Sequence, residues 1–150
     1  MTPAPVVLVT GAARRVGAEI ARALHEAGAR VAIHYRASAA EANELAARLN
    51  GSRADSALTF AADLLDTAAL PPLVDSVVQR CGRLDALVNN ASSFVATKVG
   101  AVDTAAWDDL IGSNLKAPLF LSQAAAPQLE QSGGCIVNIT DIHAERPLKG

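Results

Sequence analysis

The chain has 150 residues, 51% hydrophobic but only 3% aromatic, a length that suits one domain burying about 70% of its unfolded surface around an aliphatic, alanine-packed core. A formal net charge of −2 gives none of the basic footprint of a nucleic-acid binder or of a protein drawn to an anionic membrane surface. Cys81 and Cys135, the two cysteines, fit neither zinc-ligand nor Cys-x-x-Cys redox spacing, so no metal centre is expected and a reducing compartment is. Met1-Thr2-Pro3-Ala4-Pro5 lacks the basic region of a signal peptide and the apolar run after it is soon broken, so a cytoplasmic protein without a membrane span is the expectation.

Val6-Val7-Leu8-Val9 is short, uncharged and β-branched, the pattern of a strand buried on both faces. It breaks at Thr10-Gly11 into Ala12-Ala13-Arg14-Arg15-Val16-Gly17, after which Val16, Ile20 and Leu24 recur at helical spacing, so the break reads as a strand-to-helix turn. A helix N-terminus offers N–H groups and partial positive charge, and glycine lets a phosphate come close to them. Gly28 is a natural left-handed stop for this helix, and Arg30-Val31-Ala32-Ile33-His34-Tyr35 follows as a second strand. Ser38-Ala39-Ala40-Glu41 has the spacing of a capping box, opening a helix with Leu45 and Leu49 inward and Asn50-Gly51 closing it. A third strand is expected at residues 57–61. Pro71 and Pro72 fit the first turn of a helix carrying Leu73, Val74, Val77 and Val78, and a fourth strand at residues 84–88 comes next. A helical segment from about residue 104 to 129, divided or kinked at Pro118, leads to a fifth strand at 135–139.

Strands alternating with helices imply right-handed crossovers and an α/β fold: one Rossmann-like, doubly wound parallel sheet with helices on both faces. In such sheets the ligand lies beyond the carboxyl ends of the strands, where the unusual residues fall: Thr10-Gly11, Tyr35-Arg36, Asp63, Asn89-Asn90-Ala91 and Thr140-Asp141. An acid at the second strand end would accept from both ribose hydroxyls and repel a 2′-phosphate. His34-Tyr35-Arg36-Ala37-Ser38 has none, and offers instead a guanidinium and a hydroxyl at the mouth of a helix. With Arg14 and Arg15 nearby, NADPH is the expected cofactor over NADH.

Thr10-Gly11, Asp63-Leu64, Asp85-x-Leu87-Val88-Asn89-Asn90-Ala91, Asn114 and Val137-Asn138-Ile139 resemble, in order and at the expected intervals, the motifs of the short-chain dehydrogenases/reductases. The turn resembles the family's Thr-Gly-x-x-x-Gly-x-Gly, with Arg15 in the middle glycine position. The resemblance implies that Gly11 and Gly17 approach the pyrophosphate, Asp63 meets the adenine, Asn90 supports the fourth strand and the cofactor, and Asn114 helps to hold a water in the proton relay. The cofactor-binding set is then Gly11, Arg14, Arg15, Val16, Gly17, His34, Tyr35, Arg36, Ser38, Asp63, Leu64, Asn90, Ala91 and Ser92.

Several residues resemble the pteridine reductase branch of that family: the Arg14-Arg15 pair, His34-Tyr35 leading into Ser38-Ala39-Ala40-Glu41-Ala42-Asn43, Asn89-Asn90-Ala91-Ser92-Ser93-Phe94 in place of Asn-Asn-Ala-Gly, and Asp141 where most members have a catalytic serine. Reducing a pterin C=N bond requires a proton on ring nitrogen as hydride reaches carbon, and a carboxyl group can assist it. Asp141 and Asn114 are therefore the catalytic candidates. Phe94 can offer a flat face to the heterocycle while Ser92, Ser93 and Arg15 supply polar contacts. The plainer readings are a core aromatic for Phe94 and a helix-capping carboxylate for Asp141.

The family's Tyr-x-x-x-Lys, which delivers the proton and holds the ribose, is absent; Tyr35 is the only tyrosine. The family places that motif shortly after the position of Gly150. The expectation is the amino-terminal part of a longer reductase, a homotetramer in its full form, acting on a dihydropterin or dihydrofolate-like small molecule. The alternatives are a carbonyl reductase, acting on a 3-oxoacyl carrier thioester or a sugar ketone, and an NADP(H)-binding module without chemistry.

Overall fold

A computed structural model describes residues 3–146; Met1, Thr2 and Pro147 to Gly150 lie outside the described residues. Strands β1 (Val6–Val9), β2 (Arg30–Tyr35), β3 (Ala57–Ala61), β4 (Ala86–Asn89) and β5 (Cys135–Asn138) form one sheet in the order β3-β2-β1-β4-β5. Every pairing is parallel. Between them lie helices α1 (Arg15–Glu26), α2 (Ala39–Ser52), α3 (Leu70–Cys81), α4 (Thr104–Ile111) and α5 (Ala117–Ser132).

The alternation of side chains along a strand divides the core in two. Val6 and Leu8 point to one face, where Leu73, Val74 and Val77 of α3 and Leu121, Ala125 and Leu129 of α5 cover them. Val7 and Val9 point to the other, against Ala18 and Ala21 of α1 and Ala42, Leu45 and Leu49 of α2. The sheet is thus doubly wound with helices on both faces, as the alternating elements require. The small alanine faces of α1 and α2 let those helices pack closely on the sheet, so few aromatics are needed. The strand order, not the chain direction, reverses between β1 and β4, and in doubly wound sheets ligands sit at the carboxyl edge beside such a switch point.

Several boundaries differ from the sequence reading. The ladder of β4 begins at Ala86 rather than Leu84, although Asp85 already donates its N–H to the Val6 carbonyl; β5 ends at Asn138 rather than Ile139. Helix α2 does not close at Asn50-Gly51 but runs to Ser52. Asn50 is spent otherwise: its Oδ1 accepts from the N–H groups of Ser56 and Ala57, and its Nδ2 donates to the Ala57 carbonyl, which ties the helix to the start of β3. The capping box also does not form. The Ser38 hydroxyl makes no capping bond, and Glu41 is turned towards Arg14, 3.4 Å away.

The segment after β4 is divided where Pro118 foretold. A π-helical turn, Gly112–Lys116, separates α4 from α5, and Pro118 sits in the first turn of α5, where a missing N–H costs little. Such turns gather at functional sites, and this one carries Asn114. All four residues of β5 are exposed, and Trp107, Leu115, Leu119 and Phe120 lie exposed on α4, the π turn and α5.

Candidate cofactor and substrate site

The turn after β1 is shaped by what it cannot hold. Gly11 has φ +62, and a Cβ there would stand 3.0 Å from the Ala91 Cα. Gly17 is tighter still: its Cβ would lie 2.3 Å from the Gly11 carbonyl oxygen and 2.6 Å from Asn90 Nδ2. The two glycines and Asn90 are therefore one packed unit. Arg15, in the middle glycine position of the resemblance, takes φ +54, a left-handed conformation that costs a non-glycine residue about 1–2 kcal/mol. Arg14 is the N-cap of α1 but makes no side-chain capping bond, and the first turn holds no acidic residue. Arg14 and Arg15 flank that end of the helix, and both are exposed.

Val16 departs from the helical face assigned to it, since it is 61% exposed. The buried stripe of α1 is Gly17, Ala18, Ala21 and His25, with Ile20 and Leu24 packed at its margin. At 100° per residue, position 16 falls off that stripe, and it opens on the mouth of the turn.

At the end of β2, Arg36 is exposed, Ser38 half-buried and Tyr35 packed partly against the second core. His34 is buried. Its Nδ1 accepts from the Gly11 N–H at 3.1 Å, and its Nε2 faces the Ala62 carbonyl at the same distance. The pair of contacts defines one tautomer, with the proton on Nε2. Burial is the main cause that pushes the His34 pKa down to about 4, against smaller upward pulls from the Ala62 carbonyl and Asp63. Asp63 is exposed and accepts from the Leu65 N–H, while Leu64 packs on the first core.

Beyond β4 the chain is held by Thr10, which is buried. Its Oγ1 accepts from the N–H groups of both Asn90 and Ala91, at 2.9 Å each, and donates to the Val88 carbonyl. Asn90 returns the contact, donating Nδ2 to the carbonyls of Thr10 and Gly11. The loop after Ala91 is pinned to the π turn. Ser93 Oγ bonds Asp109 Oδ2 at 2.7 Å and Ser113 Oγ at 2.8 Å, and Asn114 Nδ2 donates to the Ser93 carbonyl at 2.8 Å. The hydroxyl of Ser93 is thus committed within the protein, whereas Ser92 is exposed and Phe94 is 75% exposed. Phe94 is no core aromatic.

Asp141, past β5, is exposed; its Oδ1 accepts from the His143 N–H and so caps a short 3-10 turn, Ile142–Ala144. The capping role weighed from the sequence is real, and among the described residues no bond engages Oδ2 or joins Asp141 to Asn114 or Phe94. Thr10, Asp109 and Glu41 were absent from the sequence-based site. A threonine before the first glycine was the visible signal for Thr10; the other two have partners 16 and 27 residues away, which no local pattern marks.

No helix among the described residues is long and apolar enough to cross a membrane. The family model for short chain dehydrogenase matches residues 5–150. Pteridine reductase 1 of Leishmania tarentolae is 41% identical, over 98% of this chain and 64% of its own length. A 3-oxoacyl-[acyl-carrier-protein] reductase of Staphylococcus aureus is 35% identical over 90% of this chain and 55% of its own, and D-threitol dehydrogenase of Mycolicibacterium smegmatis 39% over 89% and 51%. The chain thus spans between half and two thirds of the length of these relatives. With the parallel sheet, the glycine turn and the Asn-Asn-Ala strand end already in place, the match makes the chain a member of the short-chain dehydrogenase family.

Proposed function

We propose that the chain is the NADPH-binding part of a short-chain reductase that delivers hydride to a C=N bond of a dihydropterin or dihydrofolate-like ring. The observation that carries this reading is the pairing of two helix N-termini without side-chain caps, those of α1 and α2, with Arg14, Arg15 and Arg36 at one sheet edge. Helix ends and guanidinium groups together suit phosphates, and residues 34–38 contain no carboxylate to repel a 2′-phosphate. Bound there, NADPH supplies the hydride.

The chain's own residues do the rest. Gly11 lets the diphosphate near the N-terminus of α1, with Arg14, Arg15 and Val16 at the mouth; Arg36 and Ser38 hold the 2′-phosphate beside Tyr35; Asp63 and Leu64 border the adenine. Asn90, Ala91 and Ser92 form the wall beneath. Phe94 offers its exposed ring to a flat heterocycle, and Asp141 pairs with the ring N–H and amino donors of the substrate and assists protonation of its nitrogen. Asn114 holds the loop of Phe94 through the Ser93 carbonyl and, as the family resemblance implies, helps to hold a water in the proton relay. Ser93, committed to Asp109 and Ser113, contributes by position. The reading makes these 150 residues the amino-terminal part of a longer, cytoplasmic reductase that supplies the tyrosine and lysine, and the exposed apolar residues of α4 and α5 its contacts in a homotetramer.

The pterin is favoured by the relative at 41% identity and by Asp141 and Phe94. A ketone substrate is the second reading, supported by the ketoacyl reductase and threitol dehydrogenase relatives. Calorimetric titration of the NADPH-saturated chain with 7,8-dihydrobiopterin and with a 3-oxoacyl thioester separates them. The dihydropterin should bind, Phe94→Ala should weaken it about five- to tenfold through lost stacking of about 1 kcal/mol, and Asp141→Ser by about tenfold. Binding of the thioester alone would shift the assignment to a carbonyl reductase.

A further inference from the structure

The sequence puts His34 among the cofactor residues, yet its ring is buried and both of its nitrogens are taken by the protein. What it touches is informative. Nδ1 receives the N–H of Gly11, the residue at φ +62 on which the phosphate turn pivots. Nε2 donates to the carbonyl of Ala62, immediately before Asp63 and Leu64. The backbone carbonyl of His34 also accepts from the Ala12 N–H at 2.9 Å. One residue therefore fastens the diphosphate end of the proposed cleft to its adenine end, across the top of β2.

We propose that His34 is a positioning residue that sets the phosphate turn for the cofactor through the Gly11 N–H, using the Nε2-protonated tautomer; the inference rests on the NADPH-binding reading above. Only an acceptor can stand opposite the Gly11 N–H. A ring protonated on both nitrogens would present a second donor there and force the turn to move. Burial keeps the ring neutral down to mildly acid pH, and Asp63, the charged side chain whose field reaches it, is too weak an influence to reverse this. The Arg14–Glu41 pair lies on the exposed side of the turn and makes no bond to the ring.

The geometry separates the two contacts by substitution. In His34→Asn, Oδ1 stands near the place of Nδ1 and can accept from Gly11; in His34→Gln, the longer amide reaches the Ala62 side instead; His34→Leu keeps neither. NADPH affinity, measured by calorimetry at pH 7.5 on samples matched for folded fraction by circular dichroism, should stay within about threefold of the parent in His34→Asn and fall by about tenfold or more in His34→Gln and His34→Leu. Independently of any ligand, nitrogen-15 spectra of the histidine-labelled protein should show His34 Nδ1 unprotonated and Nε2 protonated from pH 8 down to about 5.5. Equal affinity in His34→Asn and His34→Gln, or a protonated Nδ1, would overturn the proposal. If the parent itself binds neither NADPH nor NADH, the cofactor reading fails and this inference with it, whereas tight NADPH binding that ignores all three substitutions removes only the role of His34.

Discussion

Replacing Gly17 by alanine should destabilise the protein by about 3 kcal/mol or more, a cost at the upper end of what overpacking produces. The reason is that the added methyl meets a backbone carbonyl at 2.3 Å and the Asn90 amide at 2.6 Å, and neither can move without dragging β1 or the end of β4 with it. Asn90 would have to leave the carbonyls of Thr10 and Gly11, so the change breaks bonds as well as crowding atoms. For a domain of this size such a loss lowers Tm by about 10 °C, and NADPH binding should vanish even in the folded fraction. Gly51→Ala is the matching control. Nothing lies within 4 Å of a Cβ at Gly51, and the residue sits within α2, so alanine should raise stability by about 0.5–1 kcal/mol. Thermal denaturation of both variants checks the pair; a Gly17→Ala protein as stable as the parent would mean that the turn is not packed as described.

Thr10→Val should cost nearly as much, although it removes almost no volume. The hydroxyl is the acceptor for two backbone N–H groups, those of Asn90 and Ala91, at a buried position. Deleting it strands both donors, at about 1–3 kcal/mol each. We expect a loss of about 2–6 kcal/mol in urea denaturation with unchanged m, and Thr10→Ser to recover most of it because the hydroxyl returns. Valine and serine variants of equal stability would show that the methyl, not the oxygen, holds this crossing between β1 and β4.

Where the sequence could be read and where it could not follows from the range of the forces involved. Strands β1, β2 and β3 were legible to the residue: β1 because burial on both faces demands an unbroken apolar run, β2 and β3 because short runs rich in β-branched and aromatic residues stand between turn residues. Gly28, at φ +99, stops α1 for a reason that belongs to glycine alone, and Gly82, at φ +86, does the same for α3 although the sequence reading did not single it out. Helix α2 misled because Asn50-Gly51 is a common local stop, and only the distant β3 shows that Asn50 has other partners. Val16 misled because three apolar residues at helical spacing do not reveal which side of the first turn faces the sheet.

The site divides in the same way. Gly11, Gly17 and Asn90 were named from the family resemblance, and the structure brings them into one packed unit. Arg36 and Asp63 were placed at strand ends and Ser38 at the mouth of a helix, and that is where they stand. The work of Thr10, His34 and Asp109 stayed hidden, since each acts on backbone or side chains far away in sequence. Glu41 was assigned to its own helix end and instead faces Arg14, and the Ser38 hydroxyl makes no capping bond within α2.

The proposed function requires the carboxyl edge at the β1–β4 switch point to take a dinucleotide carrying a 2′-phosphate. Calorimetric titration of the chain with NADPH and with NADH, repeated on Arg36→Asp, tests this most directly. NADPH should bind the parent at least about tenfold more tightly than NADH, a difference of about 1.4 kcal/mol, and Arg36→Asp should shrink or reverse the ratio by placing a carboxylate where the 2′-phosphate is held. Equal binding of the two cofactors by the parent, or a preference that Arg36→Asp leaves untouched, would contradict it.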